Sequence, residues 1–193
     1  LTGKLGCAYI RGLQGPDRDH PKAAACAKHF AVHSGPEALR HEFDAKVSRH
    51  DLYDTYLYAF KRCVKDAGVE AVMGAYNRVN GEPACGSRTL LKNILRDEFG
   101  FEGHVVSDCW AINDFHLHHH VTGIAEESAA MAVNNGCDLN CGNAFLHLPK
   151  AYEMGLVSEE AITEAVERLM EIRIRLGMME DYPSPYADIS YEK

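Results

Sequence analysis

Long hydrophobic runs, clustered positive charge and a regular cysteine framework are all missing from this sequence of 193 residues. No apolar stretch approaches the roughly 20 residues that a helix needs to cross a bilayer, so we expect no membrane-bound role. With 28 Asp and Glu residues against 20 Lys and Arg, the formal net charge is −8. Because nucleic-acid binding depends on clustered Lys and Arg, this balance also excludes a nucleic-acid partner.

The seven cysteines are odd in number and irregularly spaced. Disulfide frameworks of small secreted domains use even numbers of Cys, so we interpret these residues as free, buried thiols and predict a cytoplasmic location. Cys137 and Cys141 stand close together, but no second cysteine pair and no zinc-finger spacing of His accompanies them. We therefore expect both to be core thiols. No signal peptide opens the sequence, although a chain that begins at Leu1 says little about a leader.

Four histidines are crowded into one short segment, at His116, His118, His119 and His120. Imidazole is a common metal ligand, but ligands packed this tightly rarely share one ion, and no carboxylate is placed to complete a site. The segment is therefore predicted to be a surface loop, and we predict neither a metal nor a cofactor.

Short apolar runs alternate with amphipathic helical stretches along the chain. After a first helix that ends at Leu13, the runs at 23–30, 69–76, 104–107 and 137–140 predict four strands, each followed by a helix. Helix starts are expected after two serines whose hydroxyls can accept hydrogen bonds from free backbone amides, Ser48 and Ser158.

Repeated β-α units favour an α/β fold with a parallel sheet. Four such pairs are half of an eightfold barrel, so we predict a partial TIM-type (β/α)8 barrel over residues 1–181. A Tyr-Pro-Ser-Pro string then predicts a linker over residues 182–193. A small flavodoxin-like sheet has a similar alternation and stays open as an alternative.

Polar side chains follow each predicted strand at the point where the apolar run ends. In β-α folds the ligand binds beyond the carboxyl ends of the strands, which here form a shared rim. Each of these residues alone is typical of a solvated or packing side chain. Together they predict one pocket that combines a cation, an imidazole, aromatic rings and a carboxylate. The rim residues are Lys28, His29, Met73, Tyr76, Asp108, Trp110 and residues 138–140.

Three of these junctions carry strings that resemble glycoside hydrolase family 3. They are KHFA at residues 28–31, GAYNRVNG at 74–81 and VVSD at 105–108, and they occur in the order and with the intervals typical of that family. Each string alone is a weak signal, whereas three in order at strand ends are specific. The resemblance covers the chain from the first helix to the tail and implies the C-terminal half of a catalytic barrel.

The resemblance implies a role for each matching residue. Asp108 is expected to be the nucleophile that forms a glycosyl-enzyme intermediate, and a neighbouring Lys28 would favour its ionised form. Aromatic Trp110 is expected either to form a platform for a sugar ring or to pack; the family often has Trp directly after the Asp, where Cys109 stands here. The other expected substrate-binding residues are Lys28, His29, Arg40, Met73 and Tyr76.

The resemblance also implies what the chain lacks. A retaining glycosidase needs a second carboxyl group about 5 to 5.5 Å from the nucleophile, and in most of this family it is a Glu from a sandwich-like domain that follows the barrel. We expect that domain, and the preceding half barrel, to belong to the same polypeptide outside this chain, so the chain alone should be inactive. One branch of the family uses a His in a Pro-Gly-His-Gly string, which is absent here, so neither His33 nor His41 is assigned that role.

The expected function is a retaining glycoside hydrolase that removes β-linked glucose, or xylose, from the non-reducing end of oligosaccharides or glycosides. Glucose is preferred because it is the commonest substrate in the family. A non-catalytic saccharide-binding fragment stays open as the alternative. A response-regulator-like fold with Asp108 at a strand end would need acidic residues at the first strand, and none is present there.

Overall fold

The computed structural model describes residues 1–33, 35–179, 184–190 and 192. In chain order its α-helices are α1 (Thr2–Gln14), α2 (Arg49–Asp51), α3 (Tyr58–Lys65), α4 (Asp114–Leu117), α5 (Ala125–Asn134), α6 (Leu148–Glu153) and α7 (Glu159–Arg175). The strands are β1 (Cys26–Phe30), β2 (Asp44–Ala45), β3 (Ala71–Gly74), β4 (Arg78–Val79), β5 (Glu82–Pro83) and β6 (His104–Val106). None of the described helices combines the length and apolarity that crossing a bilayer requires.

Shorter helical forms complete the architecture. Two segments are π-helical, Leu52–Tyr56 and Arg88–Glu98, and three are 3-10 helices, Glu37–Leu39, Ala84–Gly86 and Ala144–His147. The π-helix Leu52–Tyr56 joins α2 to α3, so these three form the single helix that the sequence predicts after Ser48.

The main sheet is parallel and its strands follow the order of the chain, β1, β3 and β6. The predicted fourth strand is reduced to a parallel bridge between Val106 and Leu139. A flavodoxin-like sheet reverses its strand order at a switch point, whereas this order runs on without reversal. The α/β prediction is thus confirmed, and the geometry is that of part of a β-α barrel.

Local sequence signals set several helix boundaries. Ser48 accepts a hydrogen bond from the Asp51 amide, and Ser158 accepts one from the Ala161 amide, so both predicted N-caps are confirmed. Gly68 ends α3 with a φ of +59°, in the left-handed region that favours glycine.

The core lies between the sheet and the helices. Val72 in β3 and Val105 in β6 are fully buried at the centre of the sheet. Phe30 at the end of β1 packs edge-on against Phe60 of α3, with ring centroids 5.1 Å apart. Each such fully buried apolar side chain contributes about 1.5 to 3 kcal/mol to the free energy of unfolding.

A second, smaller sheet joins two loops at the carboxyl ends of the main strands. β2 pairs in parallel with β4, and β4 pairs antiparallel with β5. Because β2 follows the loop that contains Arg40 and β4 follows Tyr76, this pairing brings those two residues to the same side of the fold.

The structure corrects the prediction that every cysteine is a free thiol. Cys109 and Cys141 form a disulfide, so Cys141 is not a core thiol. An odd count does not exclude one pair, and the two residues become neighbours only because β6 and Leu139 pair. The five free cysteines of the described residues are Cys7, Cys26, Cys63, Cys85 and Cys137.

The linker predicted over residues 182–193 stays a prediction, since residues 182, 183, 191 and 193 lie outside the described residues.

Candidate active site

Asp108 and His29 meet at the carboxyl ends of β6 and β1. His29 Nε2 lies 3.3 Å from Asp108 Oδ2, and the two side chains are 23% and 12% exposed. The Cys109 amide donates to Asp108 Oδ1 over 2.9 Å, so both carboxylate oxygens have a neighbour within the site. Burial lowers the pKa of His29, and the charge of Asp108 opposes this only in part. The imidazole is therefore neutral near neutral pH and can donate one hydrogen bond to the Asp108 side chain.

Tyr76 forms the next wall of the site, two residues after β3. Burial raises the pKa of Tyr76, and the negative charge of Asp108 adds to the rise. The guanidinium of Arg40 lies over the Tyr76 ring at 5.7 Å, and the His41 ring meets it edge-on at 4.9 Å. Tyr76 is thus held between the sheet and the loop that contains Arg40.

Arg40 is itself oriented by Glu37 on the same loop, through a short hydrogen-bonded ion pair. This contact holds the pKa of the Glu37 carboxyl below its usual range and raises that of Arg40. Because both groups are exposed, the pair adds little to stability. Its consequence is positional, since it keeps a cation beside the Tyr76 ring.

Met73 and Trp110 extend the same rim. Met73 pairs with Val106 across β3 and β6, which places it two residues before the level of Asp108. Trp110 follows Asp108 by two residues, and its side chain is 54% exposed. The predicted rim residues His29, Arg40, Tyr76 and Asp108 are therefore in contact or near contact, and these two flank them.

The expectation that a neighbouring Lys28 favours the ionised form of Asp108 is not supported by a direct contact. Among the described residues Lys28 makes no hydrogen bond and no ion pair, and His29 lies against Asp108 instead. Lys28 is exposed and borders a hollow of about 610 Å³ between α1, β1 and α3. Its charge reaches the site only at a distance, where it contributes to lowering the pKa of His29.

Asp138 also differs from the prediction, which placed residues 138–140 at the rim. Its carboxylate is 1% exposed and lies between Arg96 (2.7 Å) and Arg168 (3.0 Å). It also accepts a hydrogen bond from the Val105 amide over 2.7 Å. Asp138 is therefore enclosed within the fold and has no free oxygen to offer a ligand.

Sequence reasoning missed Asp114, a buried carboxylate behind the site. His41 Nδ1 lies 2.8 Å from one of its oxygens and His118 Nε2 lies 3.7 Å from the other. Burial raises the pKa of Asp114, and His41 opposes that rise. The only sequence signal was the nearby histidine segment, which was predicted to lack a carboxylate partner.

The histidine segment is not a simple surface loop. His119 is 4% exposed, and His116 Nδ1 lies 2.9 Å from the Ser128 hydroxyl. No group of three or more His, Cys, Asp or Glu side chains is arranged to hold a metal ion within the part of the chain that the structure describes.

The chemistry available follows from this arrangement. Asp108 is a largely buried carboxylate whose position is fixed by the Cys109 amide and His29, and a carboxylate fixed in this way suits attack on an electrophilic carbon. The two other nearby carboxylates, Glu37 and Asp114, are each paired with a basic side chain.

Comparisons with known proteins relate this chain to one family. Residues 1–172 match the family described as the glycosyl hydrolase family 3 N terminal domain. A xylan 1,4-beta-xylosidase of Xylanibacter ruminicola is 48% identical over 185 residues, which cover 94% of this chain and 22% of that protein. A beta-xylosidase/alpha-L-arabinofuranosidase of Medicago sativa subsp. varia is 38% identical over 198 residues, or 98% of this chain and 26% of that protein.

Solved structures of the same family superpose well. An exo-beta-xylosidase, XlnD, in complex with a xylobiose aziridine probe gives a TM-score of 0.93 at 32% identity, over 97% of this chain and 25% of that one. A beta-glucosidase from Listeria innocua in complex with isofagomine gives 0.85 at 32% identity, over 98% and 27%. This chain thus spans about a quarter of the length of its relatives, and its partial TIM-type barrel is confirmed. The family resemblance is confirmed with it, and the chain belongs to glycosyl hydrolase family 3.

Proposed function

We propose that this chain is the part of a retaining glycoside hydrolase that carries the nucleophile, and that the enzyme removes β-linked xylose from the non-reducing end of its substrate. The observation that carries the proposal is the placement of Asp108, fixed by the Cys109 amide and His29 at the end of β6. Xylose is preferred over the glucose expected from the sequence because the curated relatives named above act on xylosides.

In the proposed mechanism the Asp108 carboxylate attacks the anomeric carbon and forms a glycosyl ester. The leaving oxygen takes a proton from a carboxylic acid about 5 to 5.5 Å away, which then activates the water that hydrolyses the ester. Neither Glu37 nor Asp114 is free for this role, because each is paired with a basic side chain. We therefore assign the proton donor to a segment of the polypeptide outside this chain.

The other rim residues bind the sugar in this proposal. His29 and Arg40 donate hydrogen bonds to hydroxyl groups, while Tyr76 and Met73 line the innermost sugar site. Lys28 contributes a further donor from its exposed position, and Trp110 offers an aromatic face to the C–H bonds of a sugar ring. Neutral His29 is suited to this task, since it can donate to Asp108 or to a hydroxyl without adding a charge.

Trapping the covalent intermediate tests the proposal. The full-length protein that contains this chain is incubated with a 2-fluoro β-xyloside, and the labelled peptide is located by mass spectrometry. We expect the label on Asp108, and none in an Asp108→Asn variant. Hydrolysis of β-xylosides with a label on another residue would overturn the assignment of the nucleophile. Saccharide binding without any hydrolysis would support the non-catalytic alternative.

The cytoplasmic location stays a prediction. The Cys109–Cys141 disulfide instead favours an oxidising compartment, since such bonds are rare where thiols are kept reduced.

A further inference from the structure

Trp110 has a backbone conformation that its side chain does not explain. Its φ of +67° lies in the left-handed region, which bulky residues adopt only when their surroundings impose it. Trp110 as a whole is 54% exposed, so burial does not hold it there. Other contacts must therefore fix this residue.

Those contacts come from the segment that follows Leu139. The disulfide joins Cys141 to Cys109, the residue directly before Trp110. The Trp110 amide donates to the Cys141 carbonyl over 2.7 Å. We call these two links together the cysteine clamp. They fix the chain on the amino side of Trp110 and at its own amide.

The far side of the clamp is anchored to the sheet. The hydroxyl of Ser107, directly before Asp108, accepts hydrogen bonds from the Cys141 amide over 3.0 Å and from the Asn140 side chain over 3.2 Å. The Ser107 amide donates to the Leu139 carbonyl over 2.8 Å. Cys141 is therefore placed by the same strand end that places Asp108.

Gly142 completes the contact with Trp110. A Cβ built on Gly142 would lie 3.5 Å from the indole and 3.4 Å from the Trp110 amide nitrogen. The indole thus packs close to a residue without a side chain, while Trp110 as a whole stays 54% exposed. An exposed aromatic ring anchored two residues from Asp108 has the form of a sugar-binding surface.

We propose that the cysteine clamp is a positioning device that holds the Trp110 ring beside Asp108 as a binding surface for a saccharide ring. The inference rests on the proposed function for its ligand, a β-linked saccharide. Cys109 and Cys141 do not touch the sugar and act through Trp110. Without the disulfide, relaxation of φ at Trp110 is opposed by the hydrogen bond from its amide to the Cys141 carbonyl and by the one that its carbonyl accepts from the Asn113 amide, so the ring leaves its binding position for part of the time.

A double-mutant cycle tests this coupling in the full-length protein. KM and kcat for xylobiose are measured in Cys109→Ser/Cys141→Ser, in Trp110→Ala and in the combined variant. We expect the cysteine variant to raise KM about five- to tenfold and to change kcat by less than about threefold. Trp110→Ala should raise KM similarly, and the combined variant should raise it little further, because the two changes remove the same interaction.

The control is Cys26→Ser, which removes an exposed free thiol and keeps the disulfide. It should leave KM and kcat unchanged. Additive effects of the cysteine and Trp110 changes on KM would overturn the proposal, as would an unchanged KM in the cysteine variant. If the cysteine variant fails to fold, the same constants measured before and after reduction of the folded protein with dithiothreitol decide the question.

A second readout does not depend on catalysis. Trp110 is the only tryptophan among the 193 residues, and its emission in the full-length protein is isolated as the difference from a Trp110→Phe variant. Loss of the clamp should change the acrylamide quenching of this emission, and unchanged quenching would overturn the clamp. Failure of the full-length protein to hydrolyse any β-xyloside or β-glucoside would instead overturn the proposed function, whatever the quenching shows.

Discussion

Charged side chains have different partners at the two ends of the main sheet. At the amino end, Arg175 forms an ion pair with Glu70, and Gln14 accepts a hydrogen bond from the Glu70 amide over 3.1 Å. Close by, Asp138 lies between two arginines. At the carboxyl-end rim, by contrast, Asp108 is also buried but has no guanidinium partner, and its neighbours are the His29 imidazole, the Cys109 amide and Tyr76.

This difference assigns the charged groups of the amino end to stability and those of the rim to function. Charged groups at the amino end satisfy one another and are largely buried, so removing one partner leaves an uncompensated charge. A hollow of about 360 Å³ lies at this end, bordered by Arg18, Glu70, His104, Arg168 and Arg175 among others. None of the residues that line it belongs to the rim around Asp108, so a hollow by itself does not identify an active site.

The largest expected effect comes from a substitution that changes the rim alone. Asp108→Asn in the full-length protein should lower kcat by about 10³-fold or more, because a neutral amide cannot form the glycosyl ester. The free energy of unfolding should change by less than about 1 kcal/mol, since asparagine keeps the volume of the side chain and its Oδ1 can still accept the hydrogen bond from the Cys109 amide. Steady-state kinetics and thermal unfolding measure both quantities, and near-normal turnover would remove Asp108 from the mechanism.

The reverse experiment is a substitution that changes the amino end of the sheet alone. Asp138→Asn leaves Arg96 and Arg168 without their shared counter-charge and should destabilise the protein by about 3 to 5 kcal/mol. Turnover per folded molecule should stay close to that of the parent at low temperature. The control is Glu153→Gln in the exposed pair with Lys150, which should cost about 1 kcal/mol or less. Equal stability of the two variants would contradict the division between the two ends.

His119 sharpens the comparison because its imidazole is buried beneath the rim and, among the described residues, forms no ion pair with a carboxylate. Burial, and then the charge of Arg78, lower the pKa of His119 from 6.5 to about 4. Between these values the unfolded chain binds a proton that the folded state does not, so stability is present above the unfolded pKa and is lost as the pH falls through the window.

Replacing the His119 imidazole should remove this loss of stability at low pH. Since the His119 ring stacks on Phe115 with centroids 6.2 Å apart, the test variant is His119→Phe, which keeps an aromatic ring at this position. Relative to this variant, the parent should lose about 3 kcal/mol of unfolding free energy across the window. Denaturant unfolding at several pH values measures the difference, with exposed His50→Phe as the control. Parallel pH profiles of parent and variant would exclude His119 as the cause.

The smallest expected effect concerns Lys28, which lies at the margin of the rim. If it donates to a sugar hydroxyl, Lys28→Met should raise KM by about fivefold with little change in kcat, which corresponds to the roughly 1 kcal/mol of a typical hydrogen bond. Lys4→Met on α1 is a matched exposed control. Michaelis parameters that stay unchanged would place Lys28 outside the binding site.

Much of the rim was predictable because its signals are local. His29 and Asp108 each stand where an apolar run ends, and the carboxyl ends of parallel strands always meet at one edge of a sheet. The helix starts after Ser48 and Ser158 were predictable for a similar reason, since a cap bonds an amide only three residues away.

The remaining features depended on contacts between distant segments. Asp138 stands at a strand end in the sequence, yet its partners Arg96 and Arg168 come from two helices that only the fold brings together. The pairing of Asp114 with His41 joins residues 73 positions apart. No periodicity or spacing encodes such contacts.

The sequence by itself determined the alternation of strands and helices, the family and the residues that stand at strand ends, because these follow from short-range patterns of apolar and polar side chains. Only the tertiary structure decided which polar residues face one another. It placed His29 rather than Lys28 against Asp108, enclosed Asp138 and joined Cys109 to Cys141. The physical reason is that pairing depends on the relative positions of whole strands and helices, which packing of the shared core fixes and no local signal can specify.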